Sequence, residues 1–104
     1  NAAWYPTSPV KGIYAAVTRK TLSGEPEGGW FPEERVSVET ALRAYTVNNA
    51  WAEGREHSKG SIEPGKLADL VVLDRSPLRV PADSLKDLEV LYTIVDGRVA
   101  YEGP

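Results

Sequence analysis

Residue types that commonly carry chemistry are scarce in this sequence. Its one histidine, His57, lies in the charged run Glu53-Gly54-Arg55-Glu56-His57-Ser58-Lys59. A histidine there could bind a metal or serve as a general base, and the competing reading is a solvated loop side chain. One histidine falls short of the two- and three-histidine sets of hydrolytic metal centres. The absence of cysteine excludes disulfides, thiolate-bound zinc and cysteine nucleophiles, and leaves the redox compartment undetermined. Carboxylates are more plentiful: Asp69 and Asp74 bracket the apolar run Leu70-Val71-Val72-Leu73, and Asp83 and Asp87 follow it. Such pairs can hold a divalent cation or divide acid and base roles. Aspartate also collects at strand ends and turns for backbone reasons, and that structural reading is preferred. Glu25, Glu27, Glu33 and Glu34 read as solvated. Neither phosphate-binding glycine loop nor the Gly-x-Ser-x-Gly elbow is present. Trp4, Tyr5, Trp30 and Phe31 stand outside the periodic apolar faces. They could line a substrate pocket or cover the edges of a core, and the residues alone leave both readings open.

The elements that would position these groups come in a definite order. Ser8-Pro9 reads as a helix opening, and Val10, Ile13, Tyr14 and Val17 fall on one helical face. The spacing predicts a helix over 9–20, with Arg19 and Lys20 in its last turn. Residues 22–35 form a long polar connection carrying Trp30-Phe31. Ser37 is a good cap for a second helix, predicted over 38–52 and ending near Gly54. Glu63-Pro64-Gly65-Lys66 fits a type II turn, and Leu70–Leu73 reads as a short strand covered on both faces. A helical turn is expected near Ala82–Lys86. Asp96-Gly97 between two apolar runs predicts a type I′ hairpin. That turn pairs Val95 with Arg98, Ile94 with Val99 and Tyr92 with Tyr101, and puts Ile94, Val99, Tyr92 and Tyr101 on one apolar face. The order is two helices, then three strands, an α+β chain. Three strands make a poor sheet unless something covers their faces and edges.

Composition limits the partners. The chain has 104 residues and a net charge of −3, enough for one small domain and without the basic excess of a nucleic-acid binder. No apolar stretch approaches the ~18 residues of a membrane span. No signal peptide is visible, and the expected location is cytoplasmic. There is no methionine, and Asn1-Ala2 reads as a remnant of tag cleavage or as the result of ordinary processing of a larger precursor. The chain is therefore expected to be part of a longer polypeptide.

One segment is more specific. Lys59-Gly60-Ser61-Ile62-Glu63-Pro64-Gly65-Lys66-Leu67-Ala68-Asp69-Leu70-Val71-Val72-Leu73-Asp74 resembles the C-terminal signature of the amidohydrolase superfamily. Thr46-Val47-Asn48-Asn49-Ala50 precedes it, and Val90-Leu91-Tyr92-Thr93-Ile94-Val95-Asp96-Gly97-Arg98-Val99 follows, as in that family. The segments 8–19 and 32–37 resemble the amidohydrolase-3 branch, which includes N-substituted formamide deformylases and D-aminoacylase-like enzymes. The resemblance implies C-terminal helices of a (β/α)8 barrel, residues 1–56, followed by strands of a small composite β-sandwich, residues 57–104. It implies a parent that hydrolyses non-peptide carbon–nitrogen bonds of small molecules with one or two divalent metal ions, zinc among them. The family's ligands are a His-x-His, a lysine or similar bridging residue, two further histidines and an aspartate of the eighth barrel strand. That aspartate is expected near Ala3-Trp4, where this sequence reads Asn1-Ala2-Ala3. No metal ligand and no catalytic residue can be carried over. Trp4, Tyr5 and Arg19 are the substrate-side candidates. Gly60, Gly65, Asp69, Asp96 and Gly97 are expected to serve structure. Two functional readings follow: an enzyme fragment that is inactive by itself, docking on the rest of the parent barrel, or a non-catalytic assembly module reusing such a tail. Bare strand edges predict self-association into a homo-oligomer, with elements exchanged between copies as one route.

Overall fold

The computed structural model describes residues 7–104. Its elements are three α-helices, two 3-10 turns and three strands. They fall into two compact units: residues up to 42 with 76–88, and residues 43–75 with 89–104.

The first unit is built on α1 (Pro9–Thr18), which packs on the 3-10 turn Ala82–Asp87. Val10, Ile13 and Tyr14 of the apolar face are buried, together with Leu85 and Leu88. Polar bonds fasten the same pieces. The Tyr14 hydroxyl donates to the Thr21 carbonyl (2.9 Å), and Lys86 Nζ donates to the Leu22 carbonyl (2.9 Å) while lying 5.3 Å from the Tyr14 ring. Lys20 pairs with Asp83 at 3.2 Å. The helix ends earlier than its expected limit at residue 20. Arg19 turns left-handed (φ 59°) as the C-cap, its N–H on the Ala15 carbonyl, so neither Arg19 nor Lys20 lies in the last turn. Buried Thr18 assists the exit, its hydroxyl donating to Tyr14 O and accepting from Lys20 N.

α2 (Val38–Tyr45) opens where the Ser37 hydroxyl accepts the Thr40 N–H at 3.1 Å, the N3 position of a capped helix. The single helix predicted over 38–52 is two. Thr46 (φ −125°, ψ −93°) leaves helical geometry before α3 (Val47–Ala52) begins. Apolar spacing survives such a break, which is why periodicity did not reveal it.

The second unit carries an antiparallel sheet in the order β1 (Leu70–Leu73), β2 (Val90–Val95), β3 (Arg98–Glu102). Asp96 (φ 50°) and Gly97 (φ 78°) both have positive φ, as a type I′ turn demands. Val95 faces Arg98 and Ile94 faces Val99. The next expected pair is corrected: Tyr101 faces Thr93, and Tyr92 faces Glu102. One extra residue in β3, Ala100, makes a bulge, which a pairing rule counted from the turn cannot foresee. The expected covering of β1 is absent among the described residues, for Val71 and Val72 are exposed.

Candidate functional site

The signature segment folds into a set of backbone stitches. Gly60 (φ 100°) lies against α3 so closely that a Cβ on it would stand 2.6 Å from Ala50 Cβ and 3.3 Å from Val47 Cα. The small residue ending Thr46–Ala50 and the glycine of Lys59-Gly60-Ser61 are thus two sides of one contact. Lys59 pairs with Glu53 at 2.5 Å. That hydrogen bond, with the Lys59 and Arg55 charges, holds the Glu53 carboxyl below its usual range.

Lys66 makes the densest polar node. Its ammonium donates to the Glu56 carbonyl (2.7 Å) and Ser61 Oγ (2.8 Å), and pairs with Glu63 at 2.9 Å. The Ser61 hydroxyl donates to Glu63, and this bond, followed by Lys66, lowers the Glu63 pKa. Between Ser61 and Lys66 the chain turns at Gly65 (φ 90°), where Lys66 N–H meets the Glu63 carbonyl at 3.1 Å.

Two aspartates tie the signature to the hairpin. Asp69 Oδ1 accepts the Asp96 N–H at 2.8 Å. Asp74 Oδ1 accepts the Glu89 N–H at 2.8 Å, and Asp74 N–H returns a bond to the Glu89 carbonyl. The Glu89 bond is the main cause of a lowered Asp74 pKa, with Arg75 contributing. The open groove beside these residues, about 380 Å³, is walled by Tyr45, Asn49, Ala50, Ile62, Leu70 and Val71 among others. Its walls are mainly apolar, and the charged pair on its rim, Glu53 and Lys59, is mutually satisfied.

Among the described residues no three His, Cys, Asp or Glu side chains come together as a metal set. The donors are dispersed by their structural bonds. His57 is 94% exposed, with the Glu56 carboxylate 3.7 Å away. Glu56 Oε2 is buried and has no hydrogen-bond partner among the described residues, which leaves one carboxylate and one solvated imidazole there, too few for a hydrolytic centre. The family's metal therefore does not fit the described residues.

Of the substrate-side candidates, Trp4 and Tyr5 lie outside the described residues. Arg19 lies in the first unit, with its Nε on the Trp30 carbonyl (3.0 Å) and its guanidinium 5.4 Å from the Trp30 ring. Phe31 (φ 48°) meets Trp30 edge-on at 4.7 Å. Trp30 and Phe31 are 61% and 54% exposed, so the two aromatics are not absorbed into the core of their unit. Sequence reasoning singled out Arg19 and these aromatics separately. It missed their union, which depends on the left-handed turns at Arg19 and Phe31. It also missed Lys66, whose signal was only its place within the signature.

Residues 4–101 match the Amidohydrolase family. The N-substituted formamide deformylase of Arthrobacter pascens is 46% identical over 95 residues, covering 91% of this chain and 17% of that protein. An imidazolonepropionase of Porphyromonas gingivalis is 42% identical over 66 residues, 64% of this chain and 16% of its own length. The crystal structure of an amidohydrolase from Thermotoga maritima superposes with a TM-score of 0.57 at 33% identity, over 69% of this chain and 17% of that one. The chain thus spans about one sixth of the relatives it matches, in the part where the signature stitches helix, turn and hairpin together. It belongs to the amidohydrolase family, in its amidohydrolase-3 branch.

Proposed function

We propose that this chain is the C-terminal structural portion of a metal-dependent amidohydrolase, and that it is catalytically incomplete by itself. The whole protein hydrolyses non-peptide carbon–nitrogen bonds of small molecules, with N-substituted formamides the first class to try. Support for the reaction class comes from the 46% identity to a deformylase of that name. In this reading residues 1–56 complete a barrel, residues 57–104 contribute strands to a sandwich shared with the other end of the whole protein, and the divalent metal is held by residues beyond this chain. Trp4, Tyr5 and Arg19 then border the substrate mouth.

The observation that carries the reading is the commitment of the signature polar groups to backbone and ion-pair bonds, with Lys66, Asp69 and Asp74 each taken. A residue already engaged in this way holds the fold and is not free for chemistry. The test measures metal content and N-substituted formamide hydrolysis for the chain alone and for the whole protein, with and without added zinc. The expected result is metal and turnover in the whole protein only. Stoichiometric tight metal or turnover by the chain alone would refute its incompleteness. A metal-free whole protein inert towards amide-like substrates would refute the reaction class.

A further inference from the structure

We infer that Asp96 is an isoaspartate-forming site held shut by Ala68 and Asp69, so that this corner of the signature protects the hairpin chemically as well as anchoring it. The inference goes beyond the amidohydrolase reading and needs neither its metal nor its substrate.

Asp96-Gly97 is the one Asp-Gly pair in the sequence. An aspartyl residue can close a five-membered ring on its own backbone. The amide nitrogen of the next residue attacks the protonated side-chain carboxyl, an N–C bond forms, and the carboxyl hydroxyl leaves as water with the amide proton. Water then reopens the succinimide. Addition at the side-chain carbonyl restores aspartate. Addition at the backbone carbonyl leaves the chain running through the side-chain carbon, as isoaspartate. One water is lost and one regained, so the step needs no oxidant or co-reactant. A following glycine hinders the attack least, because it has no Cβ. The product carries one extra backbone atom in a two-residue turn, which displaces Arg98 from its place opposite Val95.

Exclusion of water does not protect this turn, since Asp96 and Gly97 are both exposed. Protection comes from the backbone. Ring closure must swing the Gly97 nitrogen towards the Asp96 side chain, which rotates the peptide between them. Gly97 N–H donates to the Ala68 carbonyl at 3.0 Å, so the attacking nitrogen is itself engaged. Asp96 N–H donates to Asp69 Oδ1 at 2.8 Å, which fixes the peptide on the other side of Asp96. The two acceptors are consecutive residues at the entrance to β1. Pairing of Leu70 with Ile94 brings them beside the turn. Both peptides flanking Asp96 are therefore pinned by one short segment, and all four residues lie within the second unit.

The test incubates the 104-residue chain in warm neutral buffer, folded and in guanidinium chloride, with circular dichroism to verify folding. Trypsin cutting after Lys86 and Arg98 releases residues 87–98, and chromatography separates the isoaspartyl peptide from its parent of equal mass. Isomerisation at Asp96 should be about tenfold slower in the folded chain, as a retained hydrogen bond on the attacking nitrogen implies. Asp69→Ala should speed it about tenfold over the folded wild type. Asp69→Asn keeps an acceptor and should stay near the wild type. Gly65→Ala controls for general loss of stability, since it lies outside the hairpin and its Cβ would meet nothing within 4 Å. Equal rates in the folded and unfolded wild type, or an Asp69→Ala rate no higher than that of Gly65→Ala, would overturn the inference. A second measurement on the wild type stands if Asp69→Ala does not fold. By NMR hydrogen exchange the Gly97 amide should exchange about tenfold or more slower than in the unfolded chain. An unprotected Gly97 amide would equally overturn the inference.

Discussion

Gly60 allows the sharpest test of how the signature works. Alanine there incurs two costs. The first is conformational, because φ is 100°, and a left-handed L-residue costs about 1–2 kcal/mol. The second is steric. The new Cβ would stand 2.6 Å from Ala50 Cβ, well inside the ~3.5–4.0 Å of an ordinary carbon contact, and overpacking of this kind costs about 1–3 kcal/mol. Gly60→Ala should therefore destabilise the chain by about 2–5 kcal/mol. Gly65→Ala is the matched control, with φ 90° and nothing within 4 Å of its Cβ position. It should lose only the conformational part, about 1–2 kcal/mol. Urea unfolding followed by circular dichroism measures both. In thermal melts each kcal/mol corresponds to about 4–8 °C at this chain length. Ala50→Gly in the Gly60→Ala background removes the clashing methyl and should recover most of the steric part, less about 1 kcal/mol for glycine in a helix. Equal losses at Gly60 and Gly65, or strict additivity of Gly60→Ala with Ala50→Gly, would refute the account of a close helix–loop approach.

Asp69→Ala should cost about 1–2 kcal/mol in urea unfolding, because Asp96 N–H loses a charged acceptor; Asp69→Asn should lose less, and a silent Asp69→Ala would mean that the bond does not anchor the hairpin. Stability should also fall on acidification. Asp74, Glu63 and Glu53 have folded pKa values below their ordinary 3.8, 4.5 and 4.5. Their stabilisation is thus fully present above those values and disappears as pH drops through the lower folded ones. Urea midpoints at pH 6 and below pH 4 measure the loss, and Asp74→Asn should flatten the slope; an unchanged slope in that variant would assign the acid sensitivity elsewhere.

Much of the fold was legible because its signals are local. The Asp96-Gly97 turn is a two-residue conformational requirement, Ser37 is a cap three residues from its donor, and α1 shows its buried face by spacing alone. The misses share a cause: they are single-residue departures that hydrophobic period does not record. Thr46 breaks one apolar stripe into two helices, Ala100 shifts a register, and Arg19 ends a helix by turning left-handed. The candidate site was legible as a resemblance and not as geometry.

The amino-acid sequence by itself determined the family, the order of helices before strands, and the shortage of histidine and cysteine. These follow from residue identity and short-range spacing, which need no partner in space. Only the tertiary structure decided what the signature residues do. Gly60 meets Ala50, Lys66 gathers Glu56, Ser61 and Glu63, and Asp69 reaches Asp96 across 27 positions of sequence. Each is a contact between segments that local propensity treats as independent. Their meeting is set by the chain's packing, in which burying one small residue against another and satisfying each backbone donor selects a single arrangement.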